Sequence, residues 1–141
     1  MSKFIDAFGE AYMAYLNGEP SNHYVERDDG NISESDSAYY YFRTYDEWKL
    51  YEQQAIQEAK GRVLDIGLGA GRHALYLQEK GLKVVGIDTS PLAIQVSQRR
   101  GVKNARVMSL FDCARAVNVA WKDNLQWKIL QYNRDTKVSK P

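Results

Sequence analysis

Apolar positions along this 141-residue chain change their period several times, and each change marks an element. Phe4, Phe8, Tyr12 and Tyr15 recur at helical spacing, so residues 3–17 predict an amphipathic helix ended by Gly18 and Pro20. Residues 18–37 are polar and rich in turn formers, which predicts a loop. In residues 38–60, Trp48, Tyr51, Ala55 and Ile56 fall on one stripe, which predicts a second helix stopped by Gly61. The period then shortens. Residues 62–66 are a short apolar run entering a glycine cluster and predict a buried strand. Residues 72–80 carry Ala74, Leu75 and Leu77 on one side and predict a helix stopped by Gly81. Residues 83–88 predict a second strand. Residues 90–100 open with Ser90 at a cap and Pro91 at the first helical position, then stop at Gly101. Residues 105–110 predict a third strand.

Strand, helix, strand, helix, strand with short connections is the pattern of right-handed crossovers in a parallel α/β sheet. The tail breaks it. Val117, Val119 and Trp121 alternate, Lys122-Asp123-Asn124 offers a turn, and Leu125, Trp127 and Ile129 alternate again. This predicts a β-hairpin. The competing reading is a helix through Val117, Trp121 and Leu125. Residues 133–141 are polar and read as a frayed end. The chain thus divides into an N-terminal helical leader (1–60), a βαβαβ unit (61–112) and an atypical tail (113–141).

Composition narrows the class. The chain is 44% hydrophobic and 26% charged, enough for a packed core. No apolar run is long enough to span a bilayer, and the first residues lack the layout of a secretory signal. Cys113 is the single cysteine, so no internal disulfide forms. These features predict a cytoplasmic protein. Residues 1–60 hold 5 basic and 12 acidic side chains, net −7, while residues 61–141 hold 14 and 6, net +8. No stripe of basic and aromatic residues marks a nucleic-acid surface, so the basic half reads as solvated or as facing the acidic half.

The chemistry concentrates in Asp65-Ile66-Gly67-Leu68-Gly69-Ala70-Gly71, between a strand and a helix, where open α/β sheets bind ligands. Glycines let the backbone turn sharply and a ligand approach the main chain. The spacing is G-x-G-x-G, and the sixth position from Gly67 is Arg72, so the dinucleotide fingerprint is not met. Asp65 would repel a pyrophosphate and attract a cation. Asp88 ends the second strand, 21 positions after Gly67, where a carboxylate can accept ribose hydroxyls.

Residues 61–112 resemble the first half of small class I S-adenosylmethionine (SAM) dependent methyltransferases, on the aspartate, the three glycines, Asp88 and the following Ser90-Pro91. The resemblance implies a Rossmann-like doubly wound sheet, here incomplete, with three parallel strands, a C-terminal hairpin and N-terminal helices. It implies SAM as cofactor and S-adenosylhomocysteine (SAH) as product. Gly67, Gly69 and Gly71, with Leu68, would shape the loop around the methionine part, and Asp65 would help hold the ammonium, directly or through water. Asp88 would bind the ribose, with Ile87 and Thr89 beside it. Asp112 would meet the adenine amino group and Phe111 would border the ring. The alternative for Asp112 is a helix or turn cap. His73 reads as packing or substrate contact. Tyr39, Tyr40, Tyr41 and Tyr45 read as helix packing or as a lid. His23, Glu26, Asp28 and Asp29 fit no metal signature, and Cys113 reads as a small buried residue.

The resemblance implies methyl transfer to a small-molecule acceptor and names no catalytic base. It stops after Asp112, where a complete member continues with further strands, so the chain reads as truncated or with its end replaced. A second reading is therefore a fragment that binds SAM or SAH without catalysis, or that only oligomerises. The uncovered sheet edge beside the first strand predicts cover by the tail or by a second copy of the chain.

Overall fold

The computed structural model describes residues 6–35, 37–113 and 127–130. Helix α1 (Ala7–Leu16) is capped by Asp6, whose Oδ1 accepts the Gly9 amide at 3.0 Å. The other oxygen of Asp6 accepts the Ser90 hydroxyl at 2.7 Å and the Leu92 amide at 3.2 Å. Two helix N-termini thus share one carboxylate, which suits their dipoles and ties the leader to the domain behind it.

Where a loop was expected, β1 (His23–Glu26) and β2 (Ile32–Ser35) form an antiparallel hairpin that pairs His23 with Ser35 and Glu26 with Ile32. The turn contains Gly30 at φ 80°, and the Arg27 amide donates to the Asn31 carbonyl at 2.9 Å. Apolar residues are so few in these strands that Asp29-Gly30 was the informative signal. The single helix expected over 38–60 is also divided. Two 3-10 turns (Ala38–Phe42, Tyr45–Glu47) precede helix α2 (Leu50–Gln57). Each new piece has its own start. Ser37 caps the first turn, Thr44 and Glu47 form a capping box, and Glu52 accepts the Lys49 amide at 3.3 Å. Local caps compete with continuous helix, and the apolar stripe does not register them.

The central unit follows the expected order: β3 (Arg62–Ile66), α3 (Arg72–Glu79), β4 (Lys83–Asp88), α4 (Pro91–Arg100) and β5 (Ala105–Val107). β5 is shorter than the expected 105–110. After Val107 the chain turns at Ser109, which accepts the Asp112 amide at 3.1 Å and starts a helical turn at 110–113. β6 (Trp127–Leu130), expected as one arm of a hairpin, instead pairs in parallel with β3, Arg62 opposite Trp127. The other arm, 117–121, lies outside the described residues. The sheet order is β5-β4-β3-β6, all parallel. The edge of β3 is thus covered by the tail, and the strand order reverses direction between β3 and β6.

Alternation in the strands separates two layers. Val63 and Val84 pack with Ala74, Leu77, Ile94 and Val102 on the face that carries α3 and α4. Leu64 and Ile87 pack with the buried Cys113 on the other face. Asp65 follows Val63 by two positions, so it shares the helix-covered face. A third cluster, Ala11, Tyr12, Ala70, Ala93 and Val96, joins α1 to α4 and to the glycine loop. Among the described residues no helix is long and apolar enough to cross a membrane, and no group of His, Cys, Asp and Glu could hold a metal ion.

Candidate functional site

The loop after β3 lies where the strand order reverses, the place at which open α/β sheets form a crevice. Its shape follows from its glycines. Gly67, Gly69 and Gly71 have φ of 73°, 56° and 83°, the left-handed region in which a side chain is strained. They differ in what surrounds them. A Cβ on Gly71 would lie 2.7 Å from Val102 Cγ2 and 3.1 Å from Ser97 Cβ, so this glycine lets α3 begin tightly against α4. A Cβ on Gly67 would meet nothing within 4 Å, so its face of the loop is open. Gly69 faces the ring of Tyr12, whose Oη lies 3.6 Å from the added Cβ position.

The loop is held to β4. The amides of Gly67 and Leu68 both donate to the Ile87 carbonyl, at 2.9 and 3.0 Å. Leu68, 5% exposed, packs into the space a side chain at Gly86 would fill, since a Cβ there would lie 2.5 Å from Leu68 Cδ1. Gly86→Ala is accordingly expected to force Leu68 out, destabilising the fold by about 1–3 kcal/mol and shifting the loop. Denaturant unfolding checks the first effect, and a variant as stable as the parent contradicts it.

Asp88 closes the loop from the other side. Its Oδ2 accepts the Gly69 amide and its Oδ1 the Ser90 amide, both at 2.9 Å. Each oxygen keeps a further acceptor position. Thr89 is exposed beside it. Behind the loop, Arg100 donates to the Ala70 carbonyl at 2.5 Å, and burial holds its guanidinium below the ordinary arginine range.

Asp65 is 3% exposed, and its Oδ2 has no hydrogen-bond partner. Burial pushes its carboxyl up to about 7, helped by the charge of Asp88 and opposed by Arg72. A buried carboxylate with an unused oxygen, next to an open glycine face, fits a ligand that carries a cation. The site thus offers a place for a positive group at Asp65, unhindered approach at Gly67 and an acceptor at Asp88.

Asp65, Gly67, Leu68, Gly69, Gly71, Asp88 and Thr89 all lie on this loop and the two strand ends that frame it. The two residues after β5 behave differently. Asp112 is exposed and accepts the Ser109 hydroxyl at 2.7 Å, which is the capping geometry, and Phe111 is 79% exposed. His73 packs edge-on against Trp48, with centroids 4.8 Å apart. Of the tyrosines, Tyr45 stacks on Tyr76 and Tyr39 bonds to Glu47, so those two build the leader rather than a cover. Sequence reasoning missed Tyr12, and it placed Arg72 at the helix start beside His73 without its partner Glu52. Tyr12 is visible in the sequence only as one member of the α1 stripe, and nothing local says that it reaches Gly69. Arg72 forms a buried ion pair with Glu52, with Nη2 and Oε1 2.8 Å apart.

The chain has known relatives. Residues 63–128 match a family model described as a methyltransferase domain. A crystal structure of a SAM-dependent methyltransferase from Bacteroides fragilis, in complex with SAH, is 37% identical, with a TM-score of 0.65. That match covers 76% of this chain and 44% of the other. The 2-heptyl-1-hydroxyquinolin-4(1H)-one methyltransferase of Mycobacteroides abscessus is 37% identical over 75 residues, 53% of this chain and 32% of its own length. A tRNA (uracil(54)-C(5))-methyltransferase of Pyrococcus horikoshii is 42% identical over 53 residues, 38% of this chain and 13% of its own length. The chain spans less than half the length of each of these relatives. Glycine loop, strand-end aspartate and family match coincide on one segment, and residues 63–128 are what this chain shares with methyltransferase domains.

Proposed function

We propose that this chain binds SAM at the loop 67–71 and serves methyl transfer to a small-molecule acceptor. The observation that carries the reading is the buried Asp65 oxygen without a partner, set beside the open face of Gly67. SAM supplies a methyl group on a positively charged sulfur, which leaves as the neutral thioether of SAH when an acceptor atom takes the methyl. The protein's part is binding, alignment and exclusion of water. Asp65 takes the ammonium. The amides of Gly67, Leu68, Gly69 and Gly71 are already used within the loop and by β4, so the carboxylate of the methionine part falls to the first turn of α3, whose dipole favours an anion. Asp88 takes the ribose hydroxyls with its remaining acceptor positions. Phe111 and Asp112 are assigned to the adenine on the resemblance alone, and Asp112 Oδ2 already accepts the Ser109 hydroxyl.

Asp88→Ala is expected to weaken SAM binding by about 1.5–3 kcal/mol, the range for a hydrogen bond to a charged group. Stability falls as well, because the Gly69 and Ser90 amides lose their acceptor. An unchanged dissociation constant removes Asp88 from the site.

The two curated relatives named above carry different acceptors in their names, a hydroxyquinolone and a tRNA, and the longer match, over 75 residues against 53, supports the small molecule. The test is transfer of labelled methyl from SAM to hydroxylated heteroaromatic compounds and, separately, to total tRNA. Label in the low-mass fraction supports the proposal. Label in the tRNA assigns the other acceptor class. Binding of SAM with label in neither supports the second reading, a module that holds SAM or SAH without catalysis.

A further inference from the structure

Arg72 opens α3 directly after the glycine loop, and its charge reaches Asp65. A guanidinium placed near a buried carboxylate with a vacant oxygen ordinarily neutralises it, because pairing relieves the desolvation of both groups. Here the guanidinium is taken elsewhere. Glu52 in α2 accepts Arg72 Nη2 at 2.8 Å and Nη1 at 3.4 Å, and the two side chains are 9% and 3% exposed. The Arg72 guanidinium also lies 5.0 Å from the Tyr40 ring centroid and 5.4 Å from that of Trp48. Glu52 is itself fixed, by the Tyr40 hydroxyl at 3.4 Å and the Lys49 amide at 3.3 Å.

A buried ion pair is a poor device for stability, since apolar residues of the same volume usually do as well or better. Its presence calls for another reason, and its position supplies one. We propose that Glu52 is a positioning residue for cofactor binding: by holding Arg72 in a buried fork it keeps Asp65 unpaired for the cationic end of SAM. The acidic leader then acts on the cofactor loop through one side chain. The inference rests on the assignment of Asp65 to the SAM ammonium.

The charged groups involved are few. Asp65 faces Asp88 from β4 and Arg72 from α3. Burial raises the Glu52 carboxyl, but its bonds to Arg72, with the charges of Arg72 and His73, outweigh burial and hold it below its usual value.

The experiment is a carboxyl NMR titration of the full chain without ligand, together with calorimetric binding of SAH. In the parent, the Asp65 midpoint is expected well above the usual carboxylate range, at about 7. In Glu52→Gln the Arg72 charge becomes available to Asp65, and the midpoint falls by about one to three pH units. SAH affinity falls at least about tenfold, the equivalent of one such unit. In the double variant Glu52→Gln/Arg72→Met the competing charge is gone, so the midpoint returns to the parent value or above and affinity recovers. A purely structural role for the pair would not restore both. An unchanged midpoint in folded Glu52→Gln overturns the proposal, as does a double variant that recovers neither property. If Glu52→Gln does not fold, Glu52→Asp, too short to hold the fork, is expected to move the midpoint and affinity the same way, and no movement overturns the proposal. Midpoints that move as expected in a protein that binds no SAH count against the cofactor reading and leave the role of Glu52 toward Asp65 standing.

Discussion

Asp65→Asn is expected to remove SAM binding while making the free protein more stable, relative to the parent, as pH rises. The two effects have one cause. The buried carboxyl is raised from 3.8 to about 7, so the folded state holds the proton more tightly than the unfolded chain. The stability that comes with the protonated form is complete below 3.8 and is lost as pH rises through about 7. A shift of this size corresponds to something on the order of 4 kcal/mol. Asparagine does not titrate, so the variant is spared this loss. The difference in melting temperature, variant minus parent, should therefore grow from pH 4 upward and level off above the folded-state midpoint. With ligand the order reverses. The parent gains a charged pair, whereas the variant would leave the ammonium buried without one, a penalty of about 3–5 kcal/mol. Thermal melts with and without SAH across pH check both arms. A variant that binds SAH as the parent does removes Asp65 from the site.

The glycines give the second large effect, because two positions in one loop should fail in different ways. Gly67→Val places its side chain in open space, so the fold persists at a cost of about 1–2 kcal/mol for a non-glycine residue at positive φ. The same side chain occupies the face that the ligand needs, and SAM affinity should disappear. Gly71→Val drives its Cβ to 2.7 Å from Val102 and 3.1 Å from Ser97, both buried between α3 and α4. That variant should lose cooperative unfolding, or at least several kcal/mol of stability. Circular dichroism melts and SAH titrations separate the two. Binding that survives in folded Gly67→Val contradicts the placement of the ligand.

The α/β unit was legible because its punctuation is local. Ser90 caps α4, Pro91 takes its first turn, and Gly101 ends it in the left-handed region, all as the residue types demand. The position of the candidate site in the fold was legible for the same reason. Asp65, the loop glycines and Asp88 sit at strand ends, and strand ends follow from pattern. The leader was not legible, since its structure rests on caps that restart the chain at Ser37, Thr44 and Lys49. Its contacts with the loop are long-range, Tyr12 with Gly69 and Glu52 with Arg72, and no periodicity reports them. The tail shows a different limit. Alternation over 125–129 signals a strand at the right place, but alternation cannot say whether a strand pairs with its neighbour in sequence or with β3 across the sheet.

The central claim is that a protonatable Asp65 receives the cation of SAM, and one measurement addresses it directly. SAH, which keeps the ammonium, is titrated into the full chain by calorimetry near pH 6.5, in buffers of different ionisation enthalpy. The account predicts micromolar binding with release of a substantial fraction of a proton, as Asp65 ionises against the incoming ammonium, and loss of that release in Asp65→Asn. Binding with no buffer dependence, or no binding by the folded chain, contradicts it.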